Sequence, residues 1–215
     1  MNRGLFVVLE GGEGSGKTTT AKRLVEYYND NGYKAVYVRE PGGDKTAEKI
    51  RDIAINSDID PYTQLLLFLA SRKLNVDRGI TPALDNKCVV ICDRFTLSTI
   101  VYQGVVQKVP LYIIKYISNM FFKDVKPDIE IVLDVDPVVG LDRVFSNDRE
   151  KSGLDKKGLE FHTAVNNAYK QYQYKSNAKY KYSINTTNSN QDEVFDLCKG
   201  IIDHIINISG RNDNE

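Results

Sequence analysis

Residues 11–20 read GGEGSGKTTT, with glycines at 11, 12, 14 and 16 ahead of Lys17 and Thr18. This is the spacing Gly-x-x-x-x-Gly-Lys-Thr, a turn whose backbone N–H groups can converge on a phosphate because no side chains intrude. The apolar run LFVVLE (5–10) precedes it and a helical pattern opens at Lys17, so a helix N-terminus adds a partial positive charge. Lys17 can bridge β and γ oxygens, and the Thr18 hydroxyl can ligate Mg²⁺. Gly11, Gly12, Glu13, Gly14, Ser15, Gly16, Lys17, Thr18 and Thr19 are therefore candidate ATP-binding residues. Such a loop serves ATPases, switch GTPases and kinases alike. A guanine-reading Asn-Lys-x-Asp segment is missing after the late strand, which runs instead into NTTNSNQ.

Three further segments carry chemistry suited to a kinase. In REPGG (39–43), Arg39 can fork to a phosphate, and Pro41 with two glycines makes a sharp turn. In DRF (93–95), Asp93 can reach a metal or its water, and Arg94 can hold a second phosphate. Phe68 and Arg72, in LLLFLASR, stand one helical turn apart and share a face; an aromatic ring and a guanidinium can stack a base and bond its carbonyl. Each has a plainer reading: Phe68 as core, Arg72 as a solvated side chain, Asp93 and Arg94 as a pair closing a strand.

The elements that must position these residues follow from periodicity. Apolar runs at 5–10, 34–38, 87–93, 128–135 and 179–185 predict strands, and helical patterns cover 17–29, 46–55, 61–75, 137–145, 158–175 and 191–208. Strands alternating with helices predict an α/β fold: a five-stranded parallel sheet with helices on both faces and ligands at the carboxyl ends of the strands. The 215 residues fit one domain with a polar tail at 210–215. Lys+Arg and Asp+Glu are 29 each, so bulk electrostatics offers no reason to bind nucleic acid. No apolar run is long enough for a membrane span, and the N-terminus is too short for a secretory signal. Cys88, Cys92 and Cys198 lack paired spacing and suggest free thiols in a reducing compartment, hence a cytoplasmic protein.

EGGEGSGKTTT, REPGG, LLLFLASR, DRFTLSTIVYQG (93–104) and GLEFH (158–162) occur in an order and spacing that resemble the thymidylate kinase family, over about residues 5–175. The resemblance implies a P-loop kinase moving the γ-phosphoryl of ATP to dTMP, with Mg²⁺, in a homodimer. The apolar segments near 61–75 and 96–106 would suit pairing or core equally. It implies that Glu13 approaches the acceptor 3′-OH, that Arg39 and Arg94 hold the acceptor phosphate beside the Pro41 turn, and that Phe68 and Arg72 read thymine. Ser98 and Thr99 would line the base, Tyr102 would lie under the deoxyribose, Gln103 would help close the pocket, and Asp93 would act near the metal. Where one class of the family has a P-loop arginine, this chain has Gly14, so a catalytic arginine is expected in a lid at about 144–156. Arg149 takes that role, with Arg143 a second ATP-side candidate. The chain departs from the family's usual pattern at Asp44 (for Thr), at Ala47 (for Gly), and near position 153, where an arginine is missing. A broader deoxynucleotide kinase and a P-loop ATP-binding module without catalysis are the competing readings.

Overall fold

The computed structural model describes residues 3–146, 153 and 157–210. The sheet has strands β1 Leu5–Gly11, β2 Ala35–Arg39, β3 Val89–Asp93, β4 Ile129–Asp134 and β5 Tyr180–Asn185, each within about two residues of its predicted span. They lie in the order β2-β3-β1-β4-β5, all parallel. The chain leaves β1 toward one edge and β3 toward the other, so the loops after these neighbouring strands part and open a crevice. Register brings Arg39 and Leu9 level with Asp93, which puts the ends of β1, β2 and β3 around that crevice.

β1 is buried over its whole length, as a strand covered on both faces must be. Leu5, Val7 and Leu9 pack with helices α1 (Lys17–Asp30) and α9 (Gln191–Ile208), through Leu24, Tyr28, Cys198 and Ile202. Phe6 and Val8 face the other way, toward Leu65 and Leu69 of α3 (Pro61–Asn75) and Ile114 and Phe122 of α6 (Leu111–Phe122). Val132 of β4 packs with Tyr169 of α8 (Leu159–Tyr172) and with Leu97 and Val101. Cys88, Cys92 and Cys198 are unpaired and buried.

Helix starts follow local chemistry. Asp44 accepts from Thr46 N and Ala47 N at the head of α2 (Lys45–Asn56), Asp60 caps α3, and Asp136 caps α7 (Pro137–Phe145). Asp44 also meets Arg78 at 3.3 Å, so the residue that departs from the family pattern serves as a cap. Two helical stretches go beyond the sequence reading, α6 and the continuation of α3, whereas the apolar segment near 96–106 is helical as expected. After α3 the chain continues through a π-turn, Val76–Ile80, into α4 (Thr81–Asp85), past Gly79 and Pro82. The π-turn shifts the hydrogen-bond register so that Pro82 falls in the first turn of the next helix, where its missing N–H costs least. α5 (Thr96–Thr99) likewise runs into a π-helix, Ile100–Val106, whose Val101, Tyr102, Gln103 and Gly104 are buried.

One buried acid stands away from the crevice. Glu130 of β4 is fully enclosed and both of its carboxyl oxygens are without a hydrogen-bond partner among the described residues. Burial first, then the charge of Glu10, pushes its pKa from 4.5 up to about 8. Between those values the folded chain keeps a proton that the unfolded chain has released, so stability falls as pH rises through this window. Thermal midpoints of the wild type are expected to drop between pH 5 and 9, whereas Glu130→Gln should stay nearly flat. The variant should be the more stable by a few kcal/mol above pH 8. A wild-type profile parallel to the variant's would contradict a proton held at this site.

Candidate active site

At the end of β1 the chain turns through Gly11–Gly16, and Gly16, at φ 91°, is the residue from which α1 starts. Lys17 is buried, and its Nζ donates to the Gly12 carbonyl at 2.6 Å and to Ser15 Oγ at 3.2 Å. Burial, then the nearby Arg94 charge, brings this ammonium from 10.5 down to about 8, so it is still largely protonated at neutral pH. Gly14 sits at φ 72° against α7: a Cβ there would lie 2.0 Å from the Gly140 carbonyl oxygen, and a Cβ on Gly140 would lie 2.4 Å from the Glu13 carbonyl oxygen. Loop and helix thus touch backbone to backbone. Arg143 of α7 fastens the same region, with Nη2 donating to the carbonyls of Thr186, Thr187 and Ser189 at 3.0–3.2 Å and Nη1 reaching the Gly14 carbonyl at 3.5 Å.

At the end of β3, Asp93 Oδ2 accepts from Thr18 Oγ1 at 2.5 Å and from the Tyr37 hydroxyl at 3.4 Å. A hydroxyl and a carboxylate side by side are hard oxygen donors of the kind Mg²⁺ takes. Among the described residues no cluster of three His, Cys, Asp or Glu forms an all-protein metal cage, so an ion here would take its remaining ligands from phosphates or water.

Arg94 follows at φ 72°, a left-handed conformation that costs a non-glycine residue roughly 1–3 kcal/mol and turns its guanidinium back over the phosphate loop. It donates to Glu13 Oε1 at 2.6 Å, the Gly11 carbonyl at 3.0 Å and the Tyr169 hydroxyl at 3.1 Å, and lies 5.2 Å from the centre of the Tyr102 ring. Tyr102 also donates to Glu13 Oε1, at 3.2 Å; burial pushes its phenol pKa up, so it stays an O–H donor. Arg72, 4% exposed, is held by Glu40 at 2.6 Å, the Phe95 carbonyl at 2.9 Å and Thr99 Oγ1 at 3.0 Å. Its Nη1 is buried without a partner among the described residues, a donor with hydrogen bonds to spare.

These groups surround one cavity of ≈ 970 Å³, at the upper end of small-molecule sites. Glu13–Thr19, Arg39, Pro41, Phe68, Arg72, Asp93, Arg94, Ser98, Thr99, Tyr102, Gln103 and Arg143 all line it. Gly11 and Gly12 stand behind the wall and contribute their carbonyls to Arg94, Lys17 and Ser15. Phe68 is half-buried and faces the cavity instead of joining the core. The Glu40–Pro41 peptide is cis. Arg149 and most of the expected lid lie outside the described residues.

Three residues escape the sequence reading. Glu10, fully buried, accepts from Phe95 N, from Ser98 N and Oγ, and from the Tyr169 hydroxyl, and so fixes the start of α5. Glu40 positions Arg72. Arg51 lines the cavity, donates to the Pro41 carbonyl at 3.1 Å, and has its pKa lowered by burial and then by Arg39, a sign of crowded guanidinium groups. Its signal was its place on α2 one helical turn from Ala47, on the face that carries the buried Ala47 and Ala54.

The family described as thymidylate kinase matches residues 9–197. The chain is 38% identical to a thymidylate kinase of Clostridium novyi over 94% of this chain and 100% of that one. It is 33% identical to one of Caldicellulosiruptor saccharolyticus, over 95% and 98%. The crystal structure of thymidylate kinase from Ehrlichia chaffeensis superposes with a TM-score of 0.69 at 31% identity, covering 91% of this chain and 98% of that one.

Proposed function

The chain belongs to the thymidylate kinase family, and from that membership we propose that it transfers the γ-phosphoryl group of ATP to dTMP, giving dTDP and ADP on the way to dTTP. One observation carries the reading for this chain's own residues: a single cavity is lined both by the phosphate loop with Lys17 and by Phe68, Arg72 and Tyr102. A donor phosphate and an acceptor nucleotide can therefore meet in one enclosure, which phosphoryl transfer requires above all else.

In this reading Gly11–Thr19 cradle the ATP phosphates, Lys17 neutralises charge between β and γ, and Arg143 with the turn at Ser189 walls the nucleoside end. Mg²⁺, held by Thr18 and through water by Asp93, would supply further neutralisation of the phosphate charge when bound. Arg39, Arg51 and Arg94 hold the acceptor phosphate; Phe68 stacks the base, Arg72 bonds its carbonyl, and Ser98 and Thr99 shape its edge. Glu13 sits where Arg94 and Tyr102 meet, which suits a carboxylate serving the sugar hydroxyl and orienting both neighbours. The ring of Tyr102 excludes a 2′-OH by bulk. The catalytic-arginine role expected of Arg149 rests on the sequence alone, since that residue lies outside the described ones.

Release of ADP, measured with dTMP, dUMP, dCMP, dGMP or no acceptor, tests this directly. Turnover of dTMP, slower turnover of dUMP and none of dCMP or dGMP is expected. Comparable rates on all four would indicate a broad deoxynucleotide kinase, and ATP binding without turnover would indicate a binding module. Among the described residues no helix is long and apolar enough to cross a membrane, and a cytoplasmic location agrees with three unpaired cysteines. A homodimer is supported by apolar side chains left exposed on α3 (Tyr62, Leu66) and α6 (Tyr112, Tyr116, Met120, Phe121). Sedimentation velocity reporting a monomer at micromolar concentration would exclude it.

A further inference from the structure

We propose that Gln64 is a positioning residue that decides which bases the cavity accepts, by fixing the amide orientation of Gln103; the proposal rests on the thymidylate kinase reading and deepens it. Gln64 of α3 donates through Nε2 to the main-chain carbonyl of Ala54 on α2, at 2.8 Å. A main-chain carbonyl can only accept, so this contact leaves no freedom in which end of the Gln64 amide faces α2. Its Oε1 must then point the other way, where it accepts from Gln103 Nε2 at 3.0 Å and Gln107 Nε2 at 2.8 Å. Turning Gln103 over would set two carbonyl oxygens against each other. The same restriction explains why Gln107 Oε1 is buried with no partner among the described residues: the orientation is dictated at Gln64, not by what would satisfy Gln107.

Gln103 is 2% exposed and lines the cavity. With its NH₂ end turned to Gln64, its carbonyl oxygen lies on the opposite side of the amide and is what it offers to a ligand. Arg72, at the same end of the cavity, offers the opposite: its Nη1 is a buried donor without a partner among the described residues, and the guanidinium is locked by Glu40, Phe95 and Thr99. Donor and acceptor together match a pyrimidine carrying a 4-carbonyl and an N3–H, as in thymine and uracil. A 4-amino pyrimidine presents the reverse pattern, and both protein groups would be left unsatisfied against it. Selectivity at this edge is therefore set by a chain of two side-chain amides, Gln103 and Gln64, ending on a backbone carbonyl of α2.

The test compares Gln64→Met with Gln64→Glu. Both lose the bond to Ala54, but only methionine loses the acceptor that holds Gln103. The readouts are KM and kcat for dTMP and for dCMP, with thermal midpoints for both variants. Gln64→Met is expected to lower the dTMP-to-dCMP ratio of kcat/KM by about tenfold, mainly through KM, because Gln103 can turn its NH₂ toward the base. Gln64→Glu should keep the ratio within about twofold of wild type. Gln64→Ala removes the same oxygen and serves in place of a Gln64→Met protein that does not fold. An unchanged ratio in folded Gln64→Met, or an equal fall in Met and Glu variants, overturns the proposal. A wild type without dTMP-dependent ADP release overturns instead the reading beneath it.

Discussion

Lys17→Met is expected to lower kcat by about 10²-fold or more, with the fold intact and the KM for dTMP little changed. The ammonium lies among the carbonyl of Gly12 and the hydroxyl of Ser15, inside the loop that would hold the phosphates, and no carboxylate forms an ion pair with it among the described residues. Methionine keeps the unbranched stem and its buried contacts and removes only the charge. Charge is what phosphoryl transfer needs most: the transferring group develops little covalent bonding to the protein, and catalysis is positioning plus neutralisation. Arginine should not rescue, because the lysine terminus already stands 2.6 Å from a main-chain oxygen and a planar fork has no room there. Steady-state rates with saturating dTMP and a thermal melt suffice to check this. Activity within a few-fold of wild type would remove Lys17 from the chemistry.

The features legible in the sequence are those written in local residue types. The β1 run, the Gly-Lys-Thr turn and the helix after it depend on neighbours in the chain, and each is found within a residue or so of its expected place. Phe68 and Arg72 were readable as a pair because a helix puts four-apart residues on one face, and both line the cavity. α6 was not readable, for a physical reason. Tyr112, Tyr116, Met120 and Phe121 are apolar yet exposed, so apolar residues extend well beyond the buried face of Ile114 and Phe122 and leave only a narrow polar stripe at Lys115, Ser118 and Asn119. The chain stays helical past Gly79 and Pro82, residues that ordinarily end a helix, because the π-turn sets Pro82 in a new first turn. Glu10 was read as part of a strand, since nothing local says that Phe95 N, Ser98 and Tyr169 will all turn toward it. The role of Gln64 depends on two other glutamines, 39 and 43 residues away in the chain, which only the folded chain brings together.

Gly14→Arg is expected to abolish most activity, about 10²-fold or more in kcat/KM for ATP, although an arginine at this position is the solution used by one class of the family. The chemistry of such a group would be sound: a guanidinium near the γ-phosphoryl could neutralise transition-state charge. Space forbids it here. The first side-chain atom would fall 2.0 Å from the Gly140 carbonyl oxygen, and the residue would have to keep a φ of 72° that side chains rarely adopt. The obstacle is main chain of α7, which cannot swing aside as a side-chain tip could. α7 is itself tied down by Arg143 to three carbonyls beyond β5. The loop must therefore move, and a displacement near 1 Å at a phosphate-binding turn is enough for a loss of that size. Gly14→Ala separates backbone from charge: it should lose activity to a similar extent, since the same Cβ meets the same oxygen. Gly140→Ala should also be damaging, from the opposite side of the contact, where its Cβ would lie 2.4 Å from the Glu13 carbonyl. An active Gly14→Arg enzyme beside an inactive Gly14→Ala one would mean that charge outweighs the steric barrier. Two active enzymes would mean that the loop and α7 part more readily than their backbone contact implies.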